Sequence, residues 1–304
     1  MLVKVFGHKS PDTDATASAL VWAWYLTKKG TPAKAYVLGT PNTETLFVLK
    51  YWGFEVPELL STVSTEDKVV IVDTNNPAEL FDNINETKIV QIIDHHKLVG
   101  GIETPAPIDI CIKPLASCAS VMYTLMSENE IETMPKNIKG LMLSCVLSDT
   151  LEFRSPTTTE EDKKIATFLA EQLQINMHDY AMKMFEAKSD ISFFSDEELI
   201  KMDSKKYEVN DKKYRISVLE TTAPKIVLDR KESILKTIES VKANENLDEV
   251  LLFVIDILNE EATFFVPNDA VKNIAINSFK LKPTSDLVVL PGIISRKKQI
   301  IPAL

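Results

Sequence analysis

No stretch of this chain approaches the ~20 consecutive apolar residues that a membrane-crossing helix needs. Cysteine is scarce: three residues, Cys111, Cys118 and Cys145, are an odd count without CxxC spacing. That excludes a zinc-type thiolate site and predicts buried free thiols in a reducing compartment. Basic charge is also short, with 34 Lys and Arg against 44 Asp and Glu and a net charge of −10. A nucleic-acid binder relying on a broad basic face is excluded, whereas a small, highly charged anion is not. The cations holding such an anion must then be local, either a few Lys and Arg or bound metal. The phosphate cradles GxGxxG and GxxxxGK[ST] are missing, and so is the GxSxG elbow. No basic-then-apolar leader precedes Met1–Gly7, so the cytoplasm is the expected location and no membrane partner is expected.

What is present is a globular balance, 45% hydrophobic and 26% charged, over 304 residues, long enough for two cores. The first half alternates strand-like and helix-like segments. Lys68–Val72 and Ile89–Ile93 are continuous Val/Ile runs, as in a parallel sheet covered on both faces. Residues 118–188 read as mostly helical, with breaks at Met134-Pro135 and Ser155-Pro156. Around Glu186–Asp196 the period is lost and the sequence turns polar. The predicted organisation is an α/β catalytic domain over 1–187, a linker over 188–196 and a smaller α/β domain over 197–304.

Only four histidines occur, His8, His95, His96 and His178, and three of them follow predicted strands beside carboxylates. His8 opens a segment holding Asp12 and Asp14; Asp73 ends Val-Val-Ile-Val; Asp94-His95-His96 ends another strand; Asp149 ends an apolar helix. In open parallel sheets, ligands bind outside the carboxyl ends of strands. Alone, Asp12 or Asp14 reads as a helix N-cap, and His178 as an ordinary helix-start residue. Together these groups crowd carboxylates without compensating charge, which divalent metal would relieve. Imidazole and carboxylate without thiolate suits Mn, Co, Fe or Zn. So many carboxylates suggest an ion pair of the kind that hydrolyses phosphoesters and anhydrides, with a shared water attacking phosphorus.

The segments His8–Asp14, Asp73, Asp94-His95-His96 and Ser148-Asp149-Thr150 resemble the four motifs of the DHH phosphoesterase superfamily. Leu38–Thr45, Ser155–Thr158 and Ser295–Gln299 extend the likeness to family II, manganese-dependent inorganic pyrophosphatases. The resemblance implies a parallel-sheet metal domain with helices on both faces, a C-terminal domain that binds substrate, and an active site between them. It implies two Mn²⁺ per subunit, with Co²⁺ as a substitute and Mg²⁺ arriving with pyrophosphate. His8 and Asp12 would hold one ion, Asp14, His95 and Asp149 the other, and Asp73 would bridge. His96 would contact phosphate, and Lys205, Arg296 and Lys297 would grip the diphosphate, the last two after a strand, Leu287–Gly292, that looks buried. Ser117 either opens a helix end that orients phosphate or is a plain N-cap. A homodimer is implied as well.

The sequence departs from the family pattern at Thr74, where a His that hydrogen-bonds to the metal ligands is expected, and at Glu152 and Arg154, in place of an apolar residue and a Lys. Exopolyphosphatase is the alternative. The oligonucleotide-cleaving branch is disfavoured, because Gly292 is the only glycine after Gly140 and no His follows His178. The motif intervals are too short for a nucleotide-sensing insert.

Overall fold

The structure, a computed structural model, describes residues 2–209, 212–281 and 283–304. Backbone contacts divide it into two units, Met1–Lys188 and Ser189–Leu304.

In the first unit the elements follow in the order β1 (Val3–Phe6), α1 (Thr13–Lys28), β2 (Ala33–Val37), α2 (Thr43–Trp52), β3 (Glu58–Leu59), β4 (Lys68–Val72), β5 (Lys88–Asp94), β6 (Asp109–Ile112), α3 (Cys118–Thr124), α4 (Glu128–Glu132), α5 (Lys136–Thr150), α6 (Glu160–Leu173) and α7 (Met177–Lys188). The six strands form one parallel sheet in the order β3-β2-β1-β4-β5-β6. The Val/Ile run of β4 sits at its centre, buried on both faces, while that of β5, one place from the edge, leaves Val90 exposed. One face lies under α1 and α3, against which α5 packs. The other is filled by Phe6, Tyr36, Ile71, Leu80, Ile84 and Ile92. Short 3₁₀ turns at Pro77–Glu79 and Ile84–Glu86 and their loops cover it, rather than α-helices. The β4–β5 connection carries Pro77 and several Asn but no helical period, which is why no α-helix forms there. Gly140 lets α5 approach α2 closely, since a Cβ there would lie 2.2 Å from the Trp52 ring.

Elements of the second unit are α8 (Asp196–Met202), β7 (Ser204–Val209), β8 (Lys212–Thr221), α9 (Pro224–Leu228), α10 (Lys231–Asn244), β9 (Glu249–Asp256), β10 (Glu261–Phe265), α11 (Asp269–Phe279) and β11 (Leu287–Pro291). Its sheet runs β11-β10-β9-β8-β7, with β8 and β9 parallel and the other pairs antiparallel. One face packs Ile216, Phe253, Phe264 and Val271 with Ile300 of the C-terminal segment; the other packs Leu219, Val254, Ile234 and Ile238.

Two expectations change. Cys118 and Cys145 are buried free thiols, but Cys111 lies on the edge strand β6 and is only half-buried. Strand β11 is an edge strand in which Leu290 alone is fully buried, so its apolar sequence does not mark a buried strand. None of the helices among the described residues is long and apolar enough to cross a membrane.

Candidate metal centre

The strand order reverses beside β1: the chain moves out to β2 and β3, then returns to β4 on the other side. Such a reversal opens a crevice at the carboxyl ends of the central strands. His8 follows β1 there, Asp73 follows β4, and His95 follows β5. Gly7 makes the first of these possible, because a Cβ would lie 2.7 Å from Ala15 Cβ and 3.2 Å from the Val72 carbonyl. Asp73 has φ +58°, in the left-handed region that Asp tolerates better than most residues. Its amide donates to the Ile93 carbonyl at 2.9 Å, which fixes it at the sheet's end.

Asp73 is almost fully buried and offers a different oxygen to each of two imidazoles. His8 Nε2 lies 3.4 Å from Oδ2, and His95 Nε2 lies 3.1 Å from Oδ1. Asp12 Oδ2 is 3.8 Å from His8 Nε2, while its Oδ1 caps α1 by accepting from Ala15 N at 3.0 Å. The N-cap reading of Asp12 and a ligand role are therefore compatible. Asp14 Oδ2 and Asp149 Oδ2 stand 3.7 and 3.8 Å from His95 Nε2. His95 Nδ1 donates to the Leu115 carbonyl at 3.1 Å, which orients Nε2 toward the carboxylates. Among the described residues the donors fall into three potential ligand sets, His8/Asp12/Asp73, Asp14/His95/Asp149 and Asp73/Asp94/His95/His96, and Asp73 lies within reach of both His8 and His95.

The charges show what the arrangement needs. Burial, then repulsion from Asp14, pushes Asp73 up to about 6. Burial and repulsion from Asp14 and Asp73 hold Asp149 well above the carboxylate range. Burial alone would lower His8 and His95. The hydrogen bonds and charges of the surrounding aspartates outweigh it and raise each to about 9. Burial also opposes ionisation of Asp14, but His95 and a ring of donors keep it low. Anionic oxygens and imidazole nitrogens thus converge, with protons as their only counter-charge. All-N/O donors of this kind fit divalent manganese.

Sequence reasoning passed over two residues here. Asp94, fully buried, accepts on Oδ1 from the amides of His95 and His96 at 2.7 and 3.1 Å and from His96 Nδ1 at 2.8 Å. That hydrogen bond raises the His96 pKa and leaves Nε2 of the half-exposed ring pointing elsewhere. Asn75 Nδ2 in turn donates to Asp94 Oδ2 at 2.5 Å and to the Lys97 carbonyl at 3.0 Å. Signals for both were present, since Asp94 is part of the Asp-His-His run and Asn75 lies two residues after Asp73. A cavity of about 570 Å³ beside these groups is lined by His8, Lys9, Thr74, His96 and Lys97 among others. Thr74 is buried, and its hydroxyl donates to Glu79 Oε2 at 2.6 Å.

Of the two readings of Ser117, the N-cap is the one the geometry shows. Ser117 is fully buried, its hydroxyl donates to Asp14 Oδ1 at 3.1 Å, and it caps α3 by accepting from Ala119 N. The first amides of α3 are occupied by the same carboxylate, Cys118 N at 2.6 Å and Ala119 N at 3.3 Å. Two of the helix-end amides are thus taken by Asp14, which the Ser117 hydroxyl also holds.

In the second unit, Arg296 is mostly buried and donates to the Asp203 carbonyl and carboxylate, both at 2.8 Å. This ties the C-terminal π-helical turn Arg296–Ile300 to the start of β7, where Lys205 stands. Gln299 braces the same turn, accepting from the amides of Ile294 and Ser295 at 2.9 Å. Lys205 and Lys297 are exposed, without an ion-pair partner among the described residues. Glu152 pairs with Arg154 at 2.6 Å and with His178 at 2.7 Å, which leaves all three outside the crevice groups.

Similarity to known proteins spans the chain. The DHH family N-terminal domain matches residues 2–147, and the DHHA2 domain matches residues 182–304. A Deinococcus radiodurans protein named probable manganese-dependent inorganic pyrophosphatase is 39% identical, over 100% of this chain and 98% of its own. A Lactobacillus acidophilus protein of the same name is 34% identical, over 99% and 96%. A solved Methanococcus jannaschii structure assigned to family II inorganic pyrophosphatases has a TM-score of 0.61 at 36% identity, covering 99% of this chain and 97% of that one. An exopolyphosphatase-related Bacteroides fragilis structure shares the fold alone, with a TM-score of 0.51 at 15% identity, over 99% and 89%. With both domain types present in order and full-length relatives above 30% identity, the chain belongs to the manganese-dependent, family II inorganic pyrophosphatases of the DHH–DHHA2 class.

Proposed function

We propose that this chain hydrolyses inorganic pyrophosphate to two orthophosphates with two manganese ions. The observation that carries the reading is Asp73, whose two oxygens face His8 and His95 from two separate sets of ligand atoms. His8, Asp12 and Asp73 would hold one ion, and Asp14, His95, Asp149 and Asp73 the other. When bound, such ions supply positive charge at the phosphoryl oxygens and an acidified water.

The chain's own residues do the rest. Asp94 fixes the His96 ring through Nδ1, so that its other nitrogen, Nε2, would face the leaving phosphate. Lys205, Arg296 and Lys297 add charge for a substrate of about −3 to −4. Arg296 also anchors the turn that carries Lys297. The β7 pairing favours Lys205 over its neighbour. Lys205 lies opposite Ile216, on the face that holds Ile300, whereas Lys206 faces away and pairs with Glu245 at 2.9 Å. Co²⁺ as a substitute metal, Mg²⁺ bound with the substrate, a homodimer and a cytoplasmic location complete the proposal, with no nucleic-acid or membrane partner.

The test is phosphate release from pyrophosphate by chelator-stripped protein given back Mn²⁺, Co²⁺ or Mg²⁺, with tripolyphosphate in parallel. Recovery with Mn²⁺ or Co²⁺ on pyrophosphate supports the reading. Equal activity in Mg²⁺ alone, or preference for the longer chain, overturns it.

A further inference from the structure

Thr13 stands between Asp12 and Asp14, and Ser148 immediately precedes Asp149. Although 135 positions apart (148 − 13), both hydroxyls donate to one atom. Thr13 Oγ1 reaches Glu44 Oε1 at 2.6 Å, and Ser148 Oγ makes a short contact with the same oxygen. Glu44 lies in the first turn of α2 and has no solvent exposure. Its other oxygen has no hydrogen bond among the described residues, and its only ion-pair partner is Lys188 Nζ at 3.5 Å. A carboxylate buried this deeply is costly unless it holds something in place. The positive ends of α1 and α2 offset part of that cost, because Thr13 and Glu44 both lie in the first turns of these helices.

We infer that Glu44 is a positioning residue for the metal centre. It clamps the start of α1 to the end of α5, so that Asp14 and Asp149 meet His95 at matched distances of 3.7 and 3.8 Å. Ligand sets tolerate only about 0.5 Å of misplacement, and supports behind the ligands typically change metal affinity by about 10–100-fold. The inference rests on the proposed manganese site.

The test is Mn²⁺ titration of the full-length chain by calorimetry, with metal stoichiometry by mass spectrometry and apo-protein Tm measured alongside. Glu44→Asp keeps the charge but is one methylene short of reaching both hydroxyls; it should weaken Mn²⁺ binding about 10–100-fold. Glu44→Gln keeps an oxygen that can accept from both and should lose less. Ser148→Ala cuts one link and should weaken mainly one of the two ions. If Glu44 matters only for the fold, apo Tm falls while Mn²⁺ affinity holds. The inference is overturned if the folded Ser148→Ala and Glu44→Asp proteins bind two ions as tightly as wild type; should Glu44→Asp not fold, Ser148→Ala decides alone. Wild-type protein that takes up no Mn²⁺ overturns the metal reading and the clamp with it, so the two failures are distinguishable.

Discussion

Lys205 and Lys206, consecutive in β7, serve opposite faces of the second sheet: Lys206 Nζ lies 2.9 Å from Glu245, and Lys205 has no ion pair among the described residues. Strand alternation forces this division, so the proposed anion contact falls to Lys205 rather than to Lys206. Lys205→Ala should therefore lower kcat/KM about 10²–10³-fold, the ~2–4 kcal/mol expected for one lost charged contact to the transition state. Lys206→Ala should keep activity and cost about 1 kcal/mol or less of stability. Steady-state kinetics on both variants check it, and equal losses would refute the assignment.

Asp73 and Asp12 differ in reach. Asp73 touches both His8 and His95, Asp12 only His8. Asp73→Ala should weaken both ions, and Asp12→Ala mainly one. Metal counting by mass spectrometry after gel filtration checks this, and two tightly held ions in Asp73→Ala would rule out the bridge.

Glu245 gathers Arg215, Lys206 and Lys201 at 2.5, 2.9 and 3.1 Å. Burial would raise its pKa, but these three cations outweigh it and bring it down to about 2. The folded pKa is thus below the unfolded value of ~4.3. The stabilisation is complete above that value and fades as pH falls toward 2. Glu245→Gln should lower Tm by a few degrees at pH 7, roughly 1 kcal/mol, and by progressively less from pH 4.5 to 3. A Tm gap independent of pH would show that packing, not charge, is responsible.

The central strands and long helices of the first unit were legible because Val/Ile runs and 3.6-residue spacing are local signals. Strand β3, two residues long, and β6, an exposed edge, carry too little apolar pattern to be seen. Helix α11 mixes Asn, Lys and Ser into its apolar stripe and was missed for the same reason. The crevice residues could be named because each follows a strand or ends a helix. Their supports could not, since Glu44 and Ser148, or Ser117 and Asp14, meet across more than a hundred residues with no periodic trace. Ser117 is legible as an N-cap, but nothing local shows that Asp14 also meets the helix end it opens.

The left-handed backbone at Asp73 narrows the alphabet before any metal does. At φ +58°, β-branched and bulky side chains are strained, leaving Gly, Asn and Asp as comfortable occupants. Among these, Asp alone brings a negative charge with two equivalent oxygens. Glutamate, the exchange that preserves charge, can adopt such a backbone, as Glu152 and Glu260 do here at φ +51° and +52°, but is one methylene overlong for a carboxylate set 3.1–3.4 Å from two fixed imidazoles. Gly and Asn keep the turn and lose the charge, and Glu keeps the charge at the wrong reach. At position 73, then, no single exchange keeps the turn, the charge and the reach together.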